Sequence, residues 1–207
     1  MHDQIKTSEL MKCELPYLSK IFYSYEYPWQ LLPDISSVAA ALTKTPPPGF
    51  TRLADGIVIG KNVSIHESAV LLPPIVLGDG CTVRPGAFLR GNIIAGRSCV
   101  IGNSTELKNC ILLDGVQLPH YNYVGDSILG YRSHMGAGSI TSNVKSDKTL
   151  VTVRSGEERL ETGRKKFGAI LGDHVEVGCN SVLNPGTVVG RGSSIYPVSC
   201  VRGAIPA

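Results

Sequence analysis

The sequence predicts an all-β solenoid of hexapeptide repeats, and three regularities between residues 59 and 201 point to it. An apolar residue recurs at every sixth position from Ile59 to Leu113, and nine of these ten positions hold Ile, Leu or Val. A second run repeats from Leu171 to Val201 without a miss, and glycine often follows the apolar residue. This period is typical of a coil in which each short strand and turn adds one face, with the apolar side chain in a shared core.

Residues 1–50 differ from the rest of the chain in composition, because they contain the single Trp and only one Gly. Their apolar spacing is roughly helical and is interrupted at Pro16, Pro28 and Pro33. The stretch TPPPG at 45–49 is a strong stop signal. We therefore expect an N-terminal helical segment over 1–50 and a β-helix over 51–207.

Composition narrows the function classes. The net charge is +3 with 18% charged residues, and no basic run of nucleic-acid-binding length occurs. The start of the chain lacks the apolar core of a signal peptide, and no apolar run is long enough to span a membrane. We expect a soluble cytoplasmic protein that binds neither nucleic acid nor membrane. The six cysteines form no CxxC pair, so no metal site is predicted from them.

The six-residue beat is interrupted after Leu113. The next position in register would be Pro119, whereas the apolar beat resumes at Leu118 and Val124. A break in a repeat costs packing and often marks a functional surface. The stretch contains several side chains capable of chemistry, namely His120, Tyr121, Tyr123, Asp126 and, slightly later, His134.

A second interruption is predicted as an inserted loop over 143–168. The segment TLVTVRSGEERLET alternates around a Ser-Gly turn, which predicts a hairpin projecting from the solenoid. A basic run, Gly163–Lys166, follows it. Two interpretations of this run stay open: a solvated loop end, or a rim that binds phosphate.

These motifs resemble a known family. Residues 89–143, with TELK, LPHYNYVGD and MGAG, are similar to the acetyltransferase half of bifunctional N-acetylglucosamine-1-phosphate uridylyltransferases. Residues 163–201 are similar to short sugar-1-phosphate nucleotidyltransferase-related chains. The resemblance implies a left-handed parallel β-helix, since periodicity gives no handedness. It also implies acetyl-CoA as acyl donor, a sugar-phosphate substrate, and a homotrimer with active sites between subunits.

The resemblance also implies roles for single residues. His120 matches the general base that deprotonates the sugar amine, and the backbone N–H of Ala137 matches the donor to the thioester carbonyl. The other matches are Arg90 and Lys108 for the sugar phosphate, Tyr123 for a contact to the phosphate or the sugar, Asn143 for the sugar near its amine, Glu106 for an acid that orients the base or a cation, and Ala137, Cys179 and Lys166 for the coenzyme side.

Elementary chemistry agrees with these roles. A histidine, with an ordinary pKa near 6.5, can take the proton that a sugar amine must lose before it attacks. A backbone N–H in the glycine-rich MGAGS can stabilise an oxyanion without obstruction by a side chain. Arg90 and Lys108 are 18 residues apart, which is one coil of the three-sided helix that the resemblance implies, so we expect them to stack on one face.

The sequence departs from the family pattern in several places. His134 stands where the family usually carries asparagine, which would alter sugar specificity or add a second titrating group beside His120. Val144 stands where tyrosine is frequent, and Cys179 where a small hydroxyl residue is frequent. We expect no nucleotidyltransferase domain before the solenoid and no arm for coenzyme A after it, so sugar-nucleotide synthesis is not predicted.

The leading hypothesis is a coenzyme-A-dependent N-acetyltransferase acting on an amino-sugar phosphate, with glucosamine 1-phosphate as first candidate. The alternative is a non-catalytic trimeric sugar-phosphate-binding protein derived from such an enzyme and serving a nucleotide-sugar pathway. A zinc enzyme of the γ-carbonic anhydrase type is disfavoured, because its three-histidine pattern is absent and His120 and His134 are not a whole number of coils apart.

Overall fold

The computed structural model describes residues 3–207 and has the left-handed parallel β-helix that the repeat and its resemblance predict. Three short α-helices come first: α1 (Thr7–Leu10), α2 (Ser19–Phe22) and α3 (Ile35–Lys44), with 3-10 turns at Asp3–Ile5 and Pro28–Leu31. Among the described residues, no helix has the length and apolar content needed to cross a membrane.

Twenty-three short strands follow in the described part of the chain. In chain order they are β1 (Thr51–Ala54), β2 (Ile57–Ile59), β3 (Ser64–Ile65), β4 (Val70–Leu71), β5 (Ile75–Leu77), β6 (Thr82–Val83), β7 (Phe88–Leu89), β8 (Ile93–Ala95), β9 (Val100–Asn103), β10 (Glu106–Leu112), β11 (Gln117–His120), β12 (Tyr123–Leu129), β13 (His134–Met135), β14 (Ile140–Thr141), β15 (Val151–Ser155), β16 (Glu158–Arg164), β17 (Ala169–Leu171), β18 (Glu176–Val177), β19 (Val182–Leu183), β20 (Thr187–Val189), β21 (Ser194–Ile195), β22 (Cys200–Val201) and β23 (Ala204–Ile205).

Parallel pairing arranges the coils into three faces. Face A contains β2, β5, β8, the second halves of β10 and β12, β17, β20 and β23. Face B contains β3, β6, β9, β11, β13, β18 and β21. Face C contains β4, β7, the first halves of β10 and β12, β14, β19 and β22.

The repeated apolar residues fill the interior, as predicted. Leu77, Leu89, Ile101 and Leu171 are fully buried in one continuous core. Glycine follows several of them because the coils stack too closely for a side chain. A Cβ at Gly102 would overlap the carbonyl group of Pro119 on the next coil.

The predicted position of the register break was wrong. Leu112, and not Leu113, points into the interior, so the short step already lies between Leu107 and Leu112. β10 runs through this corner as one strand, and β12 does the same between Val124 and Leu129. The step from Leu118 to Val124, which contains His120, keeps six residues.

Corner length explains the two short steps. The corner between β7 and β8 uses two residues with positive φ, Gly91 and Asn92. The corresponding corners within β10 and β12 use one such residue each, Asn109 (φ 48°) and Asp126 (φ 49°). Asn and Asp adopt this left-handed conformation more readily than other non-glycine residues. The coils consequently repeat after 17 residues at this edge.

Face A is apolar on its outside as well as its inside. Its outward side chains form a second core, here called the outer core, with the N-terminal segment and the end of the inserted loop. Val58, Val76, Ile94, Ile111, Ile128, Ile170 and Val188 pack with Leu10, Phe22, Trp29, Leu31 and Ile35 of the N-terminal segment and with Phe167 of the loop. The predicted helices thus have a structural role, since they cover a sheet face that would otherwise expose a large apolar surface.

Asp173 fixes this covering segment to the solenoid. Its side chain is almost fully buried and accepts the backbone N–H groups of Lys12 (2.9 Å) and Tyr131 (2.8 Å). Its own N–H donates to the carbonyl of Leu10 at 2.9 Å. Burial raises the pKa of this carboxyl, and the guanidinium of Arg191 lies 3.4 Å away.

The predicted hairpin forms from β15 and β16, which pair antiparallel with Ser155 opposite Glu158. It leaves the solenoid after face C, yet it is not fully solvated. Val151 and Val153 are completely buried in the outer core. The hairpin is therefore held against the last coils.

Candidate functional site

A group of cations lies at the end of the strands of face C. Arg90 directly follows β7, and its N–H donates to the carbonyl of Leu107 on the next coil at 2.8 Å. Lys108 stands at the matching position of that coil, which confirms the predicted stacking. Lys166, from the end of the inserted loop, also lies near Lys108. Its charge is one of the causes that lower the pKa of the Lys108 ammonium.

Electrostatics shows that these cations share one small region. The pKa of Lys108 is lowered, first by burial and then by the charges of Lys166 and Arg90, against the opposing charge of Asp126. Three like charges in one region repel each other, and a dianionic ligand would relieve the repulsion. Lys166, expected on the coenzyme side, thus lies with the residues expected to hold the sugar phosphate.

Glu106 orients the first of these cations. Its carboxylate accepts a hydrogen bond from Arg90 at 2.7 Å, and this bond is the main reason that the pKa of Arg90 is raised. The guanidinium also lies 5.8 Å from the centre of the Phe88 ring. Of the two roles expected for Glu106, the structure brings it to the cation.

A polar network continues from the cations along the short corner. Asp126 is buried and accepts hydrogen bonds from the side-chain amides of Asn109 (3.0 Å) and Asn143 (2.6 Å). The Asn143 amide also lies 3.3 Å from the hydroxyl of Tyr123. Asp126 therefore fixes Asn143, and Asn143 in turn contacts Tyr123.

Gly125 makes room for this arrangement. A Cβ at this position would lie 2.5 Å from the Tyr123 hydroxyl and 3.0 Å from the Asn143 amide nitrogen. Burial is the main cause of the raised pKa of Tyr123, and the charges of Asp126 and Glu106 add to it. The hydroxyl thus stays protonated and can donate to a ligand oxygen.

The predicted catalytic residues stack along the edge between faces B and C. The carbonyl of His120 accepts the N–H of Gly138 (3.1 Å), that of Ala137 accepts the N–H of Asn180 (2.8 Å), and that of Cys179 accepts the N–H of Val198 (2.8 Å). His120, Ala137 and Cys179 therefore occupy one position on three successive coils. We call this line of residues the edge column.

Two features of the edge column suit chemistry. The side chain of His120 is exposed, while its backbone N–H is fixed by the side-chain oxygen of Asn122 at 3.2 Å. Asn122 is itself buried and donates to the carbonyl of Gly136 at 2.8 Å. Within residues 3–207, the N–H of Ala137 donates to no other group, so it is available to a ligand carbonyl.

The edge column and the cations border the same strand. His120 lies before β12 begins, and Tyr123 points outward from its start. Gly125, which pairs with Lys108, lies two residues further on. The structure thus places His120 and the cation group at the two ends of the part of β12 that lies on face C, with Tyr123 between them.

His134 does not join this group. It lies on face B, opposite Gln117 of the neighbouring coil, and its Nδ1 is 2.8 Å from the carboxylate of Glu176. Within residues 3–207, no three His, Cys, Asp or Glu side chains are grouped so that they could hold a metal ion.

Sequence reasoning missed the supporting roles of Asn109 and of Asp126, which it had named only as capable of chemistry, and it missed Asn122. A signal for the first two exists in the sequence. Asn92, Asn109, Asp126 and Asn143 recur every 17 residues, which is the length of the shortened coils. Asn122 carries no comparable signal, because its role depends on the carbonyl groups of a neighbouring coil.

The fold and this face define a parallel β-helix of hexapeptide repeats with a basic, polar site beside one edge. The chain belongs to the family of the GMPPB C-terminal domain, whose model matches residues 71–191, more than half of the chain. This places the matched coils, including the cation group and the edge column, within that family.

Two relatives show how the likeness is distributed. The chain is 37% identical over 102 residues to a bifunctional sugar-1-phosphate nucleotidylyltransferase/acetyltransferase of Sulfurisphaera tokodaii, covering 49% of this chain and 25% of that protein. It is 40% identical over 95 residues to the bifunctional protein GlmU of Methanococcus aeolicus, covering 46% of this chain and 23% of that protein. The chain thus matches only about a quarter of the length of these relatives.

Among solved structures, the chain is similar to a mutant of AntD, an N-acyltransferase from Bacillus cereus, in complex with dTDP-4-amino-4,6-dideoxyglucose and coenzyme A. The sequence identity is 20% and the TM-score 0.41, over 72% of this chain and 74% of that one.

Proposed function

We propose that the chain is a coenzyme-A-dependent N-acetyltransferase that acts on an amino-sugar phosphate, with glucosamine 1-phosphate as the first candidate. The observation that supports this proposal most directly is that a group of three cations and an exposed histidine lie at the two ends of the face C part of β12. The names of the relatives, which include an acetyltransferase, support the same activity.

In the proposed reaction, the cation group holds the sugar phosphate. Arg90, Lys108 and Lys166 offer charge-assisted hydrogen bonds to its oxygens, and Tyr123 and Asn143 offer polar contacts to the sugar. This fixes the position of the amine relative to His120. Positioning of this kind can supply a large part of the rate enhancement.

His120 then accepts a proton from the amine as the nitrogen attacks the thioester carbonyl of acetyl-CoA. The C–N bond forms and the C–S bond breaks, and the proton held by His120 passes to the departing sulfur, so that the coenzyme leaves as its thiol. The free N–H of Ala137 is a donor for the oxygen that becomes negative in the tetrahedral intermediate. Cys179, one coil further along the edge column, is proposed to line the path of the coenzyme arm.

A second copy of the chain is proposed to cover the edge column. Three large, strongly exposed apolar side chains lie along this edge: Tyr121 (63% exposed), Tyr196 (82%) and Val198 (79%). Exposed apolar groups of this size often mark an interface. A homotrimer would bury them and complete the site between subunits, and Val198→Lys should then yield monomers in analytical ultracentrifugation.

The activity is tested by following thiol release from acetyl-CoA with glucosamine 1-phosphate. We expect His120→Ala to lower kcat about a hundredfold or more, as for loss of a general base. Lys108→Met, in contrast, should mainly raise KM for the sugar phosphate. Full activity of His120→Ala would refute the proposed role of this residue.

One observation favours the alternative of a non-catalytic sugar-phosphate-binding protein. Within residues 3–207, the imidazole of His120 has no hydrogen-bond partner, and Glu106 is engaged by Arg90 instead. If wild type binds glucosamine 1-phosphate in calorimetry but releases no thiol, this alternative replaces the enzyme.

A further inference from the structure

A second basic pocket lies between the hairpin and the last coils. It has a volume of about 450 Å³, and three arginines contribute to its lining, namely Arg154, Arg159 and Arg202. Arg154 and Arg159 lie directly opposite each other on the two hairpin strands. Their side chains therefore leave the hairpin on the same side, towards Arg202 on the solenoid.

The charges of this pocket are not balanced by the protein. In the described part of the chain, none of the three arginines has a carboxylate within 4 Å. The single acidic residue in the lining, Asp147, lies 3.5 Å from Lys145 and accepts hydrogen bonds from Thr149.

Such an arrangement is unfavourable without a ligand. Like charges directly opposite each other on paired strands destabilise the pair. Arg154 and Arg159 are in this position and are both exposed. An anion bound between the hairpin and Arg202 would turn this repulsion into a set of charge-assisted hydrogen bonds.

The arginine pocket is separate from the cation group of Arg90, Lys108 and Lys166. Parallel register relates Lys108 to Gly125, Ser142, Asn184 and Arg202 on successive coils. Four coil steps of about 4.8 Å each separate Lys108 from Arg202, or about 19 Å. One phosphate group cannot contact both places.

We propose that the arginine pocket binds a ligand carrying two or more phosphate groups, of the nucleotide class. Three guanidinium groups suit a diphosphate, because each can donate two parallel hydrogen bonds to phosphate oxygens. The hydroxyl groups of Ser142 and Thr152, also in the lining, add neutral donors. Two sources share this chemistry: the phosphate-rich end of coenzyme A, in which case the assignment rests on the proposed function, or a separate nucleotide.

The test is calorimetric titration of the full chain with inorganic pyrophosphate, ADP and coenzyme A at fixed ionic strength. Arg154→Gln, Arg159→Gln and Arg202→Gln should each weaken pyrophosphate binding about tenfold, the loss expected for one charge-assisted bond. Arg84→Gln, on face B in the early coils, is the matched control and should bind like wild type. Thermal melting checks the fold, and Arg154→Gln should not lower the melting temperature, because it removes a like-charge contact.

The three ligands distinguish the sources. A parallel loss for coenzyme A assigns the pocket to the acyl donor, whereas a loss for ADP with unchanged coenzyme A binding assigns it to a separate nucleotide. Wild-type affinity for pyrophosphate in all three folded variants would overturn the proposal. If acetyl transfer is absent but the arginine variants still lose pyrophosphate, the proposed function fails and the pocket assignment stands.

Discussion

Replacing Gly125 with alanine should damage the sugar-phosphate site while leaving the fold intact. The added Cβ would stand 2.5 Å from the Tyr123 hydroxyl, whereas an ordinary contact begins near 3.4 Å, so the hydroxyl must move by about 1 Å. Tyr123 is only partly buried and can move, and the backbone of Gly125 does not need a positive φ. The N–H of Gly125 keeps its acceptor, the Thr141 hydroxyl at 3.0 Å.

The expected size of the effect follows from this displacement. Losing one hydrogen bond to the ligand corresponds to roughly a tenfold increase in Kd for glucosamine 1-phosphate. A misplacement of about 1 Å near the reacting groups can cost about a hundredfold in turnover. Calorimetry measures the first quantity and thiol release the second, and thermal melting should differ little from wild type.

A double mutant checks the route of the effect. Tyr123→Phe already removes the ligand hydrogen bond that the displaced hydroxyl would lose. Gly125→Ala should therefore add little to the loss of affinity in the Tyr123→Phe background, although the new Cβ still stands 2.9 Å from the ring carbon Cζ. Wild-type affinity of Gly125→Ala, or full additivity of the two changes, would refute the assignment of Tyr123 to the site.

Three further predictions concern pH and stability. The affinity for the sugar phosphate should decline as pH rises through the lowered pKa of Lys108, because the dianion favours the protonated amine. Calorimetry on the alkaline side of neutrality, below the ordinary lysine pKa of about 10.4, should show this decline, and Lys108→Arg should remove it. Asp173→Ala should lower the free energy of unfolding by about 2–4 kcal/mol in denaturant titrations, because two buried backbone N–H groups lose a carboxylate acceptor. An unchanged denaturation midpoint would contradict the role of Asp173 in fixing the N-terminal segment to the solenoid. Ile94→Ala, in the outer core, should lower the free energy of unfolding by about 2–5 kcal/mol. The exposed control Val70→Ala should stay within about 0.5 kcal/mol of wild type, and equal effects of the two changes would contradict the burial of the outer side of face A.

The interior of the solenoid could be predicted from the sequence, whereas most of the outer core could not. A residue at every sixth position is a local pattern, so the interior could be predicted from Ile59 to Val201. The outer core could not, because it joins residues as distant as Trp29 and Ile170. A weak signal existed: segments such as Ile-Val-Leu at 75–77 and Ile-Ile-Ala at 93–95 are apolar throughout, which is typical of a strand buried on both faces.

The register break shows how a one-residue ambiguity misleads. Leu112 and Leu113 are adjacent and equally apolar, and counting by sixes selected Leu113. The inner position belongs to Leu112, because the corner at Asn109 has one residue fewer than the corner at Asn92. Only the recurrence of Asn or Asp every 17 residues, from Asn92 to Asn143, could have located this step correctly.

The candidate site was predicted more fully than its surroundings. Spacing, combined with the three-sided coil that the resemblance implies, placed Arg90 and Lys108 on one face, and the resemblance selected His120, Tyr123 and Asn143. Neither spacing nor resemblance could predict that Lys166 lies near Lys108, because the tertiary packing of the inserted loop decides where it returns to the solenoid. The position of His134 on face B, beside Glu176, was likewise invisible to motif reasoning.

The most direct test of the account is detection of the product. Purified chain is incubated with glucosamine 1-phosphate and acetyl-CoA labelled in the acetyl group, and the sugar is analysed by mass spectrometry for a labelled amide. The account predicts a labelled N-acetyl sugar phosphate with wild type and its near absence with His120→Ala. A sugar phosphate that binds with Lys108-dependent affinity yet acquires no label would contradict catalysis and leave face C as a binding site.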